Sequence, residues 1–267
     1  MRDTLEQRVV AIVDGSAACW ETASLAAREA RLRHRPLRLI STSGGLSVSP
    51  RPYLDAIARR LRDRWPDVAV ATRVVRGDVA DAVIDESRTA ALVVVNRDPA
   101  GGRHHQVTAH AFCPTVVVPP AISQDPDGPV LLGVDISPHD EPAVGFAFEE
   151  AALRGVPLVA VHVWSGIPGN ALSDINPFAY DLGQARATAD RLLAETLAGW
   201  ADKYPTLPVR RMALYDVNPA RTLLQAGAGA GLAVVGANRY GTTTPHLLGP
   251  VARALLDNAP CPVGVVR

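Results

Sequence analysis

Short apolar runs alternate along this chain with longer stretches whose apolar residues recur at helical spacing. Runs of strand type stand at Val9 to Val13, Leu37 to Ser41, Val68 to Val75, Ala91 to Val95 and Thr115 to Val118. The segment between the first two, Ala23 to Arg33, mixes small apolar residues with Arg28, Glu29 and Arg31, the pattern of a helix with one buried face. Val93, Val94 and Val95 are apolar without interruption, as expected of a strand covered on both faces by helices. The same order returns with strands predicted near Val130 to Val134, Leu158 to Val163, Val209 to Leu214, Leu232 to Val235 and Val263 to Val266. Crossovers between parallel strands are almost always right-handed, so strands and helices in this order predict doubly wound parallel sheets.

The second series is a copy of the first. Val9-Val10-Ala11-Ile12-Val13-Asp14 matches Val130-Leu131-Leu132-Gly133-Val134-Asp135. At the same offset Ser16 matches Ser137, Glu29-Ala30 matches Glu150-Ala151, Leu32-Arg33 matches Leu153-Arg154, and Pro36-Leu37 matches Pro157-Leu158. A register held through a strand and a helix is the mark of a tandem duplication, and the repeat is far longer than the ~20 to 50 residues of solenoids and propellers. The expected fold is therefore α/β: two tandem Rossmann-like domains, each an open five-stranded parallel sheet with helices on both faces. Their expected bounds are 1–120 and 129–267. Pro119-Pro120 and Asp125-Pro126-Asp127-Gly128-Pro129 break regular structure between them, and so short a joint predicts domains that pack together. Ser165 to Tyr180, rich in Gly, Pro, Asn and Ser, predicts a loop at a strand's carboxyl end ahead of a long helix from about Leu182 to Tyr204; it reads either as a lid or as a surface excursion.

Charge narrows the classes. The 27 basic and 27 acidic residues cancel, and without a basic field direct nucleic-acid binding is not expected. No window holds the ~20 apolar residues of a membrane span. The opening Met1-Arg2-Asp3-Thr4-Leu5-Glu6 lacks the apolar stretch of a signal peptide, so a cytoplasmic location is expected. Cys19, Cys113 and Cys261 show no metal-binding spacing. Cys113-Pro114 and Cys261-Pro262 hold equivalent places in the two copies and read as small buried residues.

Three features coincide in this chain. Asp14 and Asp135 each end a first strand. Val75-Arg76-Gly77-Asp78-Val79-Ala80 precedes a helix. A glycine-bearing exit from the fourth strand, Val234-Val235-Gly236-Ala237-Asn238-Arg239, leads through Leu247-Leu248-Gly249-Pro250-Val251 to Ala259-Pro260-Cys261-Pro262. Together they resemble the universal stress protein family in its tandem two-domain form, over essentially the whole chain. The resemblance implies domains paired through their last strands and, as in many members, ATP held at the carboxyl ends of strands one and four. The family's strand-one aspartate, near adenine and ribose, matches Asp14 and Asp135. Its phosphate loop reads glycine, two residues, glycine, nine residues, then glycine followed by Ser or Thr.

Such a loop works because glycine lets the backbone approach phosphate closely and a helix start aims N–H groups at the anion. In domain two Gly236 and Gly249 keep the spacing and Asn238 lies between them, but Arg239 replaces the second glycine and Pro250 the hydroxyl residue. Proline brings neither hydroxyl nor N–H. Arg239 either meets a phosphate with its guanidinium, fills the space the phosphate needs, or points to solvent. Pro250 also suits a first helical position on structural grounds alone. Asp135, Gly236, Asn238, Arg239 and Gly249 are thus the candidate ATP-binding residues. Domain one departs further: Asn96 replaces the first glycine, Asp98 stands near the phosphate position, and the stretch from Asn96 to Cys113 is shorter than that from Gly236 to Cys261. Gly101-Gly102 could rebuild a small anion nest, but no cofactor is expected there, and domain one reads as an internal partner kept for packing. Asn218 is expected to cap a helix begun by Pro219.

No catalytic residue set emerges, so an enzyme is not expected. His104 and His105 are adjacent and should diverge on a helix rather than face one metal, and His162 and His246 read as structural, His246 alternatively as a contact to a ligand's phosphate; no metal site is expected. The function expected is that of a stress-response regulatory or binding protein with an ATP site in domain two. The alternative is a nucleotide-independent module that binds an unidentified protein partner. A further homodimer remains open, since the fusion already satisfies the domain pairing.

Overall fold

The computed structural model describes residues 7–16, 18–43, 50–98, 102–121, 125–137, 140–165, 182–237 and 247–267. The first half runs β1 (Val9–Ile12), α1 (Cys19–Leu32), β2 (Leu37–Thr42), α2 (Pro50–Arg64), β3 (Val70–Val75), α3 (Val79–Glu86), β4 (Leu92–Asn96), α4 (Arg103–His110) and β5 (Thr115–Val118). The second half repeats it as β6 (Val130–Val134), α5 (Glu141–Arg154), β7 (Leu158–Trp164), α6 (Leu182–Lys203), β8 (Val209–Tyr215), α7 (Pro219–Ala226), β9 (Leu232–Gly236), α8 (Pro250–Asn258) and β10 (Val263–Val266). All ten expected strands are present. The expected third strand starts two residues early in the sequence reading because Val68, though buried, lies in a turn that its N–H closes onto the Trp65 carbonyl.

The two sheets join into one. Strand order is β3-β2-β1-β4-β5-β10-β9-β6-β7-β8, parallel within each half and antiparallel where β5 meets β10, with Val117 opposite Val263 and Thr115 opposite Val265. The pairing through last strands implied by the family resemblance is therefore present, and it removes two open sheet edges at once.

Each face of this sheet carries a core that continues across the join. On β1, Val9 and Ala11 face α1 and α2, while Val10 and Ile12 face α3. The first core continues through Val266 to Phe148 of α5 and Leu193 of α6; the second runs from Val107 of α4 to Leu255 of α8. A strand alternating between two apolar layers must be apolar at every position, which accounts for the unbroken valine runs.

Where α1 and α5 meet beside the join, four charges are buried together. Arg33 pairs with Glu29 on its own helix and Glu150 on the other; Arg154 pairs with Glu150 at 2.9 Å and with Glu29 at 2.5 Å. Both carboxylates are fully buried. These residues are the equivalent pairs of the duplication, so the quartet has the two-fold symmetry of the whole. The joint is pinned by Arg28, which donates to the Pro126 carbonyl at 3.0 Å and pairs with Asp127 at 2.5 Å. The loop expected at Ser165 to Tyr180 lies, beyond Ser165, outside the described residues.

Candidate functional site

In each half the first and fourth strands lie side by side, β1 against β4 and β6 against β9, and the chain leaves them at the same sheet edge. That edge is where doubly wound sheets open a crevice. The two crevices differ in what fills them.

In the first half the chain turns after β1 through Gly15, whose φ of 78° is open to glycine. The turn brings the Ser16 N–H to Asp14 Oδ1 at 3.0 Å. Across the crevice Asn96, the last residue of β4, donates to Asp14 Oδ2 at 3.0 Å and to Ser16 Oγ at 3.3 Å. Arg103, the first residue of α4, donates to the same Oδ2 at 2.8 Å and lies 3.6 Å from Asp98. Burial alone would raise the Asp14 carboxyl, but the bonds from Ser16, Asn96 and Arg103 outweigh it and hold it below its ordinary 3.8. The aspartate that would face a ligand is thus held by an arginine of its own half. Asn96 was visible in sequence as a lost glycine; Arg103 was not recognised, and the signal available was the shortened stretch that brings the start of α4 back to the strand end. The Gly102 N–H is taken by the Asp98 carbonyl at 3.2 Å.

In the second half the equivalent turn passes through Ile136 at φ 53°. Isoleucine is an unfavourable residue there, and the conformation is held by Asp140, which is 5% exposed. Its carboxylate accepts the Asp135 N–H at 2.8 Å and the Ser137 N–H at 3.2 Å, tying the loop to the start of α5. Burial pushes the Asp140 carboxyl up, against the pull of those amides. The Asp135 side chain is exposed at the crevice and takes no hydrogen bond from a described residue. Beside it, opposite Val134 in the ladder, His162 of β7 donates from Nδ1 to the Val134 carbonyl at 2.8 Å; in the neutral ring this leaves Nε2 as an acceptor.

Gly236 ends β9 next to this strand end, and the chain returns at Gly249, the N-cap of α8. Asp135, Gly236 and Gly249 are therefore brought to one sheet edge. The Gly249 N–H is used internally, donating to the Ala237 carbonyl at 2.8 Å. Pro250 has no N–H, and the first helical bond runs from Arg253 to Gly249 at 3.0 Å, so the helix amides left for an anion are those of Val251 and Ala252. Asn238, Arg239 and His246 lie outside the described residues. A cavity of about 580 Å³ between α5 and α6, lined by Ser137, Glu141, Trp200 and Lys203 among others, does not include Asp135, Gly236 or Gly249.

Asn218 caps α7 as expected, accepting the Arg221 N–H at 3.1 Å. Cys113 and Cys261 sit where burial pushes their thiols up to about 12 and about 11, far from thiolate reactivity. His104 and His105 do not diverge. At the start of α4 their rings lie 4.2 Å apart, and both turn their Nε2 atoms toward Asp257 of α8, at 3.7 Å and 2.7 Å. The two rings share a partner because Asp257 of α8, in the other half, lies against the start of α4.

Comparison with known proteins agrees with this architecture. Residues 128–267 match the model of the universal stress protein family. The chain is similar to a universal stress protein of Mycobacterium tuberculosis strain H37Rv, 32% identical over 97% of this chain and 96% of the relative. It is also similar to one of Mycolicibacterium smegmatis, 33% identical over 100% of this chain and 99% of the relative. Among solved structures, a putative universal stress protein from Pseudomonas aeruginosa superposes with a TM-score of 0.66, covering 98% of this chain and 93% of its own at 15% identity, a likeness of fold.

Proposed function

Given that the chain belongs to the universal stress protein family, we propose that it is a stress-response binding protein in which the second half alone takes an adenine nucleotide. The observation that carries this reading is the contrast between two equivalent aspartates: Asp14 is engaged by Asn96 and Arg103, whereas the exposed Asp135 carboxylate takes no hydrogen bond from a described residue. In this reading the domains span 1–120 and 129–267, and the first is an internal partner with no cofactor. Asp135 accepts hydrogen bonds from the ribose hydroxyls of ATP. Gly236 lets the backbone pass close to the nucleotide, Asn238 and Arg239 contact phosphate, and Gly249 sets the start of α8, whose Val251 and Ala252 amides face the anion. No hydrolytic step is part of the proposal.

A second reading has its own support. The Gly249 amide is committed to Ala237 and Pro250 offers no donor, which weakens the phosphate cradle and favours a nucleotide-independent module that binds another protein. Among the described residues no helix is long and apolar enough to cross a membrane. Titration calorimetry with Mg-ATP separates the readings. One equivalent bound by the full chain, lost in Asp135→Ala and retained in Asp14→Ala, supports the nucleotide site; no heat at millimolar ATP from nucleotide-free protein supports the second.

A further inference from the structure

The seam between α4 and α8 joins the two halves of the chain through side chains of metal-ligating type. His104 is 2% exposed. Its Nδ1 accepts the Asp98 N–H at 3.2 Å, while its Nε2 is buried with no hydrogen-bond partner and stands 3.7 Å from Asp257 Oδ1, beyond hydrogen-bond range. His105 Nε2 is 2.7 Å from the same oxygen. One ligand atom from each of the three residues falls within 4.8 Å of the other two. A buried ring nitrogen without a partner is costly, and two imidazoles converging on one carboxylate form the donor set of borderline divalent cations.

We infer that His104, His105 and Asp257 form a divalent-cation site of the zinc class that clamps the first half of the chain to the second. Tetrahedral bonds of about 2.0 to 2.1 Å place ligand atoms about 3.4 Å apart, so the 2.7 Å pair of His105 and Asp257 must open by about 0.7 Å while the 3.7 Å pair of His104 and Asp257 closes by about 0.3 Å. Asp257 and His105, at 45% and 20% side-chain exposure, have room to rotate toward the buried His104. The fourth position opens to solvent for water or an external ligand. Two features oppose the cation. Arg97 lies close enough to act on both His104 and Asp257, although its guanidinium donates to the Ala259 carbonyl at 2.6 Å. Ligation through His104 Nε2 also moves the ring proton to Nδ1 and releases the Asp98 amide. The site is therefore expected to bind in the micromolar rather than the picomolar range.

The test uses the untagged, metal-stripped full chain, titrated with Co²⁺ by visible absorption and with Zn²⁺ by competition. The expected result is one equivalent, with the intense visible bands of tetrahedral cobalt. Affinity should fall about tenfold or more in Asp257→Asn and in His105→Gln, both on the outer side of the cluster and both expected to keep the wild-type circular dichroism. Zn²⁺ should raise the melting temperature of the wild type but not of Asp257→Asn. Absence of saturable binding up to millimolar metal overturns the proposal and leaves Asp257 as a hydrogen-bond acceptor between two imidazoles. Binding left intact by both substitutions overturns it equally.

Discussion

Asp14 and Asp135 occupy one position of a duplicated sequence, and their neighbours give them opposite chemistry. Asn96 and Arg103 convert Asp14 into part of the protein's own ionic structure, whereas Asp140, by holding the backbone of residues 135 and 137, leaves the Asp135 carboxylate facing outward. Because the folded-state pKa of Asp14 lies below its unfolded value, the native state binds fewer protons; the stabilisation is complete above the ordinary value near 3.8 and is lost as pH falls through the lowered one. Chemical unfolding measured from about pH 5 down to about pH 2 should therefore show stability dropping with acid more steeply in the wild type than in Asp14→Asn, and parallel curves would contradict this role. At this scale the sequence was only partly readable. The aspartates and glycines follow from local pattern, but Arg103 reaches Asp14 through tertiary geometry, and the shared orientation of His104 and His105 depends on a helix from the other half.

Among the elements, α1 and α5 carry an unusual burden. Four charges are sequestered between them, and each arginine offsets both carboxylates. Burial, followed by Glu29, pushes Glu150 upward, and the two arginines pull it back. Removing one arginine leaves buried negative charge short of a partner, so Arg33→Met should destabilise the fold by ~3–5 kcal/mol. Arg154→Met should cost a comparable amount because the quartet is two-fold symmetric. Equilibrium urea unfolding of both variants checks this; a loss below about 1 kcal/mol, the scale of an exposed pair, would show that water reaches the site. The recurrence of Glu29 and Arg33 as Glu150 and Arg154 was plain in the sequence. That these residues meet each other was not, since a constant offset says which residues are equivalent and nothing about which are in contact. The inner strands were legible because a sheet buried on both faces needs continuous apolar runs; the outer strands β3 and β8 carry exposed positions such as Arg73, Arg210 and Arg211, and there the boundary of β3 was misplaced.

At the scale of the whole molecule, the β5 to β10 ladder and the quartet make the chain a dimer folded within one polypeptide. Residues 129–267 expressed alone should then self-associate, β10 pairing antiparallel with β10 of a second copy and Glu150 meeting the second copy's Arg154. Light scattering should find a dimer, and a stable monomer would mean that the first half supplies something the second cannot provide for itself. The packing is symmetric and the crevices are not: Asp14 is engaged from within its own half, whereas Asp135 takes no hydrogen bond from a described residue, and the proposed nucleotide site rests on that contrast. The most direct test is calorimetric titration of nucleotide-free full-length protein with Mg-ATP, in the wild type, Asp14→Ala and Asp135→Ala. A single equivalent that survives Asp14→Ala and disappears in Asp135→Ala is the expected result; two equivalents, or equal loss in both variants, would contradict a site confined to the second half.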